Sequence, residues 1–424
     1  MLDALKNVFK VKELRNKVLF VLGVMVVYRL GVHIPVPGVD VEILEQQLFG
    51  GAAGEVFGFI DLFAGGALER FSVFALGITP YITASIILQL LTAVIPRLEE
   101  LSRQGREGRK KIAQYTRYGT VVLALIQGIG ITMYVRPALH SQTLYSLIVV
   151  VITLVAGTSF LMWLGEQVNE YGIGNGISIL IFTSIIARFP MEFGQMFSRF
   201  RTGEIGVFNV GSFLVLAILI IAGVIFVQQG ERKIPVQYSK RVVGRKVYGG
   251  RSTHIPMRVN QAGVIPVIFA SSVLMFPPMV GRLLGEALSI GWLERFGDVF
   301  LRGSPIYLVT YALFIMFFTY FYTAITFNPE EVADNMKKRG GFIPGIRPGK
   351  ATVNYLDRIL VRVTLVGAIF LTVVSLIPFA IPSVTGVQIQ WGGTSLLIMT
   401  GVALRTMQQI ESHLLMRHYE GFME

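Results

Sequence analysis

Ten apolar stretches alternate with polar, charge-rich segments along the chain. Most are long enough, as helices, to cross a hydrocarbon core of about 30 Å. Charged residues make up only 15% of the chain, against about 25% in soluble domains. The pattern therefore predicts an all-α membrane protein with ten transmembrane helices. The ten predicted spans cover residues 18–34, 71–95, 118–135, 146–168, 172–187, 207–229, 262–281, 305–327, 363–381 and 394–410.

The second apolar stretch follows an unusual short segment. Residues 71–95 carry no charge and predict a helical span of roughly 37 Å. Phe59–Arg70 is too short and too charged to cross the membrane, which predicts a short helix at or inside the membrane surface. Irregular backbone at membrane depth requires burial in protein or a watery cavity. The two pieces therefore suggest a cavity, although a surface helix that leads into an ordinary packed helix explains them as well.

The basic residues are distributed unevenly between the two sets of connections. Of the 38 Lys and Arg residues, 29 fall on the side that holds both termini, and the other side has no Lys. The positive-inside rule therefore predicts cytoplasmic termini. Spans 1–5 form a predicted N-terminal half (1–205) and spans 6–10 a C-terminal half (206–424). Pro80 and Pro266 interrupt the corresponding spans 2 and 7, as expected for inverted halves that meet at a functional interface.

Three predicted cytoplasmic connections, 97–117, 230–261 and 328–362, are too long to be turns. Their glycine, proline and aromatic residues predict ordered, protruding loops. The net charge of +12 makes RNA, anionic lipid or an acidic protein the candidate partners of these loops.

Several chemistries are excluded by the residues that the chain contains. There is no Cys, and the five His are scattered, so thiolate chemistry and metal-ligand spacing are both missing. Gly345–Lys350 fails as a phosphate-binding loop because its glycines are too close and Ala351 replaces the required hydroxyl. We also expect no acidic residue buried within the spans, which favours a passive channel without cofactors over a proton-driven transporter.

Isoleucines recur at helical spacing in several spans. A ring of such side chains can seal a pore by excluding water, although ordinary helix packing explains the spacing equally well. The set comprises Ile78, Ile82, Ile86, Ile177, Ile181, Ile265, Ile268 and Ile398.

Long motifs in these spans and loops resemble the SecY family, the channel subunits of the Sec protein translocon. The resemblance covers nearly the whole chain and implies two inverted, pseudo-symmetric five-helix halves around a central hourglass pore. The motifs are ALGITPYITASIILQLL (75–91), QYTRYGT (114–120), WLGEQ with GIGNGISI (163–179), GVIPVIFASS (263–272), FNPEEVADNMKKRGGFIPGIRPG (327–349) and GGTSLLI (392–398).

The resemblance also implies roles for individual residues. The isoleucines match the pore ring or its neighbours, and Gln89, Thr92 and Gln127 lie in the helices of a lateral gate formed by spans 2–3 against 7–8. Arg241, Arg245, Lys246, Arg347 and Lys350 fall in the loops that dock partners. A plug at about 57–72 would close the outer side; its core is Phe59, Ile60, Asp61, Leu62, Phe63, Ala64, Gly65, Gly66, Ala67, Leu68, Glu69 and Arg70.

The partners that the resemblance implies are the small subunits SecE and SecG, the SecA motor ATPase, the ribosome, signal peptides and nascent chains, and anionic lipids. It places the chain in the plasma membrane. Two other classes remain open from the residues alone: a secondary transporter for a small solute, and a scaffold whose basic loops dock a cytoplasmic assembly. The scaffold leaves Phe59–Arg70 unexplained, and the transporter requires a compact polar pocket at mid-membrane.

Overall fold

The structure, a computed structural model, describes residues 11–44, 58, 61, 64–238, 241–243, 246–248, 252–288, 291–300, 303–386 and 393–420. The helices up to residue 229 are α1 (Lys12–Val32), α2 (Thr79–Val94), α3 (Pro96–Arg103), α4 (Gly105–Tyr134), α5 (Leu144–Tyr171), α6 (Gly176–Arg201) and α7 (Val207–Gln229). The later helices are α8 (Ile265–Leu288), α9 (Gly291–Val299), α10 (Pro305–Thr326), α11 (Pro329–Lys338), α12 (Lys350–Thr385) and α13 (Gly393–Glu420). The strands are β1 (Glu231–Tyr238), β2 (Arg241–Val243), β3 (Lys246–Tyr248), β4 (Ser252–Arg258) and β5 (Gly341–Phe342).

An α-helix overlaps every one of the ten predicted apolar stretches. Within the described residues, five helical stretches are individually long and apolar enough to cross a membrane, and the bent pair α2–α3 makes a sixth if it counts as one span. The chain is therefore a multi-pass helical membrane protein. The five stretches are Leu144–Tyr171, Gly176–Arg201, Val207–Gln229, Pro305–Lys338 and Lys350–Pro382.

The prediction of one helix over residues 71–95 is wrong at its start. Residues 65–78 form a series of turns and α2 begins at Thr79, so the helix is only about 24 Å long. Gly65, Gly66 and Gly77 adopt positive φ angles, which an α-helix cannot accommodate. Residues 65–70 of the predicted short helix are therefore turns as well, although Gly58, Asp61 and Ala64 are helical.

Pro80 and Pro266 do not break their helices as predicted. Each is the second residue of its helix, α2 or α8. Proline is well tolerated there because its missing N–H has no partner within the first turn. The two prolines therefore fix where these helices begin.

The charged connection 97–117 is helical rather than a loop. The chain bends by 100° between α2 and α3, where Pro96 opens the new helix. Arg103 contacts Glu99 one turn away at 2.6 Å, so the charges lie on a solvated helix surface. α4 then begins at Gly105 and carries the remaining basic residues into span 3.

The chain divides into two compact units. The first comprises Met1–Val210, Ser271–Leu308 and Ile398–Glu424. In this unit α4 packs on α5 around a core that includes Ala124, Ile131 and Leu154. Small residues let these helices approach closely, as is usual within membranes.

Extended contacts join the ends of several elements in the first unit. The bridge Pro35↔Ser72 links the segment after α1 to the segment before α2, and Val39↔Leu139 links it to the turn after α4. These segments all belong to the side that the charge distribution predicts to be outside. Their meeting at one end is what the alternation of spans requires, whichever side of the membrane that end faces.

The second unit comprises Gly211–Ala270 and Val309–Leu397. Its sheet has the strand order β4-β1-β5 and is antiparallel, with Ile234 opposite Ile255 and Gln237 opposite Phe342. One sheet face packs on α11 and α12 through a buried cluster that includes Met257, Met336 and Leu356. The described parts of the predicted loops 230–261 and 328–362 thus form strands and helices, and α12 begins at Lys350, well before the predicted start of span 9.

Candidate functional site

The backbone before α2 packs tightly against α6. Gly65 has a φ of 68°, and a Cβ atom there would lie 2.9 Å from the Cα of Ser184. Phe71 also has a positive φ, 42°, although it is fully buried and not a glycine. A positive φ angle at a residue other than glycine costs roughly 1–3 kcal/mol and persists only where the surrounding structure imposes it. The described part of the predicted plug is therefore closely packed against α6 and is not a loose surface loop.

Asp61 is the polar centre of this region. Its Oδ1 accepts hydrogen bonds from the amides of Leu68 at 2.7 Å and Glu69 at 3.2 Å. Its Oδ2 lies 2.9 Å from Nη1 of Arg188 on α6, and the two side chains are 0% and 9% exposed. Burial raises the pKa of the Asp61 carboxyl, whereas the guanidinium and the two amides oppose that rise. One carboxylate thus closes the turns of the plug and attaches them to α6.

A second carboxylate contacts the same guanidinium. Glu192 follows Arg188 by one turn of α6, and its Oε1 lies 3.9 Å from Nε of Arg188. The Glu192 side chain is 8% exposed, and neither of its carboxylate oxygens accepts a hydrogen bond from the described residues. The expectation that the spans bury no acidic residue is therefore wrong. The sequence does contain a signal for this burial. Arg188 and Glu192 lie four residues apart, directly after the apolar run whose predicted span ended at residue 187.

Tyr28 of α1 binds the plug from another side. Its hydroxyl donates to the carbonyl oxygen of Ala64 at 2.8 Å and shares a 2.6 Å hydrogen bond with Ser184 of α6. Its ring stacks on Phe74 with 5.9 Å between centroids. Arg29 adds a hydrogen bond from Nη1 to the carbonyl oxygen of Gly65 at 3.2 Å. Side chains of α1 therefore satisfy backbone oxygens of the predicted plug, which could not remain unpaired in lipid.

Removing the Tyr28 hydroxyl should loosen the plug. A buried hydrogen bond contributes about 1 kcal/mol, so we expect Tyr28→Phe to raise the resting ion conductance of the reconstituted protein roughly fivefold. The matched control is Tyr145→Phe, at a tyrosine that is 77% exposed. Planar-bilayer recordings of both variants measure the effect. Equal conductance in Tyr28→Phe and the unsubstituted protein would contradict this role.

The segment after the plug is held by backbone bonds. The amide of Val36 donates to the carbonyl oxygen of Phe71, and the amide of Val73 donates to that of Ile34, each at 2.9 Å. These bonds flank the bridge to Ser72. The C-terminal end of the plug is thus fixed to the chain that follows α1.

The predicted ring isoleucines are buried to different degrees. Ile78 caps α2, and Ile82 and Ile86 follow at one-turn spacing on its buried side. Ile181, Ile268 and Ile398 are also buried, whereas Ile265 is partly exposed. Ile177 is partly exposed and packs against Gly165 of α5. Ile265 and Ile268 belong to the second unit and the other six to the first.

The predicted gate residues make bonds within their own helices. Gln89 Nε2 donates to Ser85 Oγ at 3.3 Å, and Thr92 Oγ1 donates to the carbonyl oxygen of Leu88 at 2.7 Å. Gln127 is buried on α4. The structure therefore does not join these three side chains into one cluster.

The predicted docking residues lie on the second unit. Arg347 is exposed between β5 and α12, and Lys350 is exposed at the start of α12. Arg241 begins β2 and Lys246 begins β3, and the structure describes their backbone alone. Arg245 lies outside the described residues, as do Phe59, Ile60, Leu62 and Phe63 of the predicted plug.

Comparison with known proteins gives strong sequence matches. A sequence model of the SecY family matches residues 72–407. The "Protein translocase subunit SecY" of Streptomyces galbus is 48% identical, and the alignment covers 100% of both chains. The subunit of the same name from Pseudomonas aeruginosa is 46% identical, over 100% of this chain and 96% of its own length.

Solved structures show the fold independently. "The structure of a protein conducting channel" matches with a TM-score of 0.66 at 18% identity, over 94% of this chain and 92% of that one. A structure whose subject is the SecY plug domain, which stabilises the closed state and maintains a membrane seal, has a TM-score of 0.65 at 18% identity with the same coverage. Canine Sec61 in a ribosome–channel complex has a TM-score of 0.60 at 17% identity, again over 94% and 92%. The chain therefore has the mostly helical fold of these channels, with which the ten predicted spans are consistent.

Proposed function

The chain belongs to the SecY family, and on that basis we propose that it forms the protein-conducting channel of an export translocase. Unfolded secretory polypeptides pass through it across the plasma membrane, and hydrophobic segments leave sideways into lipid. Both termini lie in the cytoplasm. The halves 1–205 and 206–424 form the inverted repeat of the channel.

The observation that carries this proposal is the way residues 61 and 64–78 are held. This turn-rich segment contains a buried carboxylate, and it is held by Tyr28, Arg29 and Arg188, which belong to two helices that are distant in the chain. Leu68 and Phe71 lie in the apolar core of the first unit, whereas Asp61 and the carbonyl oxygens of Ala64 and Gly65 are held by polar contacts that can be exchanged when the segment leaves and returns. That is the property a plug needs, and the solved plug-domain structure supports assigning the role to Phe59–Arg70 here.

Ile78, Ile82, Ile86 and Ile181 form the second barrier, together with Ile177, Ile265, Ile268 and Ile398. Ile181 lies one turn before Ser184 and two turns before Arg188 on α6, so one helix face carries the ring residue and the plug contacts. Ile78 is the N-cap of α2, six residues after the end of the plug segment 57–72. Aliphatic side chains suit this task because they exclude hydrated ions and bind no particular substrate sequence.

As the family likeness implies, the lateral gate is formed by spans 2–3 against spans 7–8. Gln89 and Thr92 of α2 and Gln127 of α4 are polar residues of the first pair of spans. The bonds of Gln89 and Thr92 lie within α2, which leaves these two side chains free to separate from another helix at small cost. A signal peptide opens the gate by replacing contacts of α2 with contacts of its own.

The energy for transport comes from a partner, since the sequence carries no nucleotide-binding motif. The basic surface with Arg241, Arg245, Lys246, Arg347 and Lys350 docks the SecA motor or the ribosome. The likeness to Sec61 in a ribosome complex supports the second partner. SecE and SecG complete the channel, and anionic lipids contact its basic cytoplasmic surface.

Ion conductance in a planar bilayer tests the two barriers. Deletion of residues 59–70 together with Ile82→Gly and Ile181→Gly should raise the resting conductance at least about a hundredfold, because both the plug and the ring are removed. The matched control keeps the plug and carries Ile87→Gly and Ile186→Gly, at two isoleucines of the same helices that are each 40% exposed. Unchanged leakage in the first variant would refute the barrier assignment.

A further inference from the structure

One guanidinium in this structure serves two buried carboxylates. Arg188 binds Asp61 of the plug through Nη1 at 2.9 Å and contacts Glu192 of its own helix through Nε at 3.9 Å. All three side chains are at most 9% exposed. The nearer carboxylate leaves with the plug, whereas the farther one remains on α6.

We propose that Arg188 is handed from Asp61 to Glu192 when the plug opens, so that Glu192 sets how readily the channel opens. This inference rests on the proposed plug function and assigns positioning roles to two residues of α6. Glu192 is suited to the role because neither of its oxygens accepts a hydrogen bond from a described residue in the seated state.

The cost of stranding a buried charge explains why a second carboxylate is needed. Removal of one partner from a buried ion pair is strongly unfavourable because the other charge is left without compensation. If Asp61 left and no other carboxylate were near, Arg188 would be that stranded charge. Glu192 lies one helical turn away and can accept the guanidinium by a small side-chain rotation.

The same electrostatics determine the sign of the effect. While the plug is seated, Arg188 is held by Asp61 at 2.9 Å and lies 3.9 Å from Glu192. After opening, the guanidinium can approach Glu192, and their attraction becomes stronger. Glu192 therefore stabilises the open state relative to the closed one. A purely structural role, in which Glu192 orients Arg188 toward Asp61, would stabilise the closed state instead.

The test measures opening in the complete reconstituted translocase. Because the chain has no Cys, Ala67→Cys places a single thiol at a fully buried plug residue. We expect Glu192→Gln to lower both the resting conductance and the rate of labelling by a water-soluble maleimide about tenfold, and Asp61→Asn to raise both about tenfold. The control is Glu204→Gln, which removes a carboxylate 3.9 Å from Arg199 that is 66% exposed, and it should change neither.

Each other outcome has a definite meaning. An increase of conductance and labelling in Glu192→Gln would overturn the handover in favour of the orienting role. Unchanged values in Glu192→Gln, with the expected increase in Asp61→Asn, would also overturn it but leave the plug assignment intact. If Asp61→Asn and deletion of residues 59–70 both left conductance unchanged, the proposed plug itself would be wrong.

Discussion

Replacement of Arg188 by methionine should raise the resting ion conductance of the reconstituted channel about a hundredfold. The substitution leaves the Asp61 carboxylate buried without its cation, which costs about 3–5 kcal/mol. The amides of Leu68 and Glu69 remain, but they cannot neutralise the charge. The carboxylate can recover hydration if the plug leaves its seat, and a cost of about 3 kcal/mol favours that opening roughly a hundredfold.

A second substitution separates this effect from general damage. Asp61→Asn in the Arg188→Met background removes the stranded charge and keeps an oxygen that can accept the two amide hydrogen bonds. We therefore expect the double variant to leak less than Arg188→Met alone. Arg199→Met, at the exposed end of α6, is the matched single control and should leave conductance unchanged. No rescue in the double variant would mean that Arg188 acts on the plug by some route other than its charge.

Gly157→Ala should lower the stability of the protein. A Cβ atom at Gly157 of α5 would overlap the backbone carbonyl oxygen of Val73, so either α5 or the segment before α2 must move. Overpacking of this kind costs about 1–3 kcal/mol. The moved segment also contains the bond from the amide of Val73 to Ile34 that holds the end of the plug. We expect a lower thermal-unfolding midpoint and a higher resting conductance.

Thermal unfolding of the purified complex measures the first part of this prediction. Gly23→Ala is the control, since Gly23 lies within α1 and its added Cβ would meet no atom within 4 Å. That variant should unfold at or slightly above the temperature of the unsubstituted protein, because alanine favours a helix more than glycine does. A Gly157→Ala midpoint equal to that of Gly23→Ala would show that α5 has room at this position.

The positions of the helices could be predicted because lipid imposes a simple rule. Every spanning segment must be apolar and must satisfy its own backbone, so runs of apolar residues mark helices directly. The same rule misled the prediction for residues 71–78, where the backbone is satisfied by neighbouring protein and the glycine φ angles break the helix. The rule also could not predict that the charged residues 97–117 are helical, because solvated helices and loops are both polar.

The candidate site was predictable in its parts but not in its contacts. The family likeness indicated Phe59–Arg70 as a plug, and the structure describes most of its second half. The ion pair joins residues 127 positions apart, so no local pattern could reveal it. Arg188 and Glu192 were visible as a spaced pair of charges, yet without Asp61 they indicate only an ordinary helix end. The sequence thus shows that Asp61, Arg188 and Glu192 are present, but it does not show that they are in contact.

The separation between Asp61 and Arg188 has a consequence for biogenesis. The ribosome delivers the plug to the membrane before it has synthesised α6, so Asp61 awaits a partner, Arg188, that lies 127 residues downstream. A carboxylate in that situation must stay hydrated. On the proposed plug function, the plug therefore stays unseated in the nascent channel until α6 arrives.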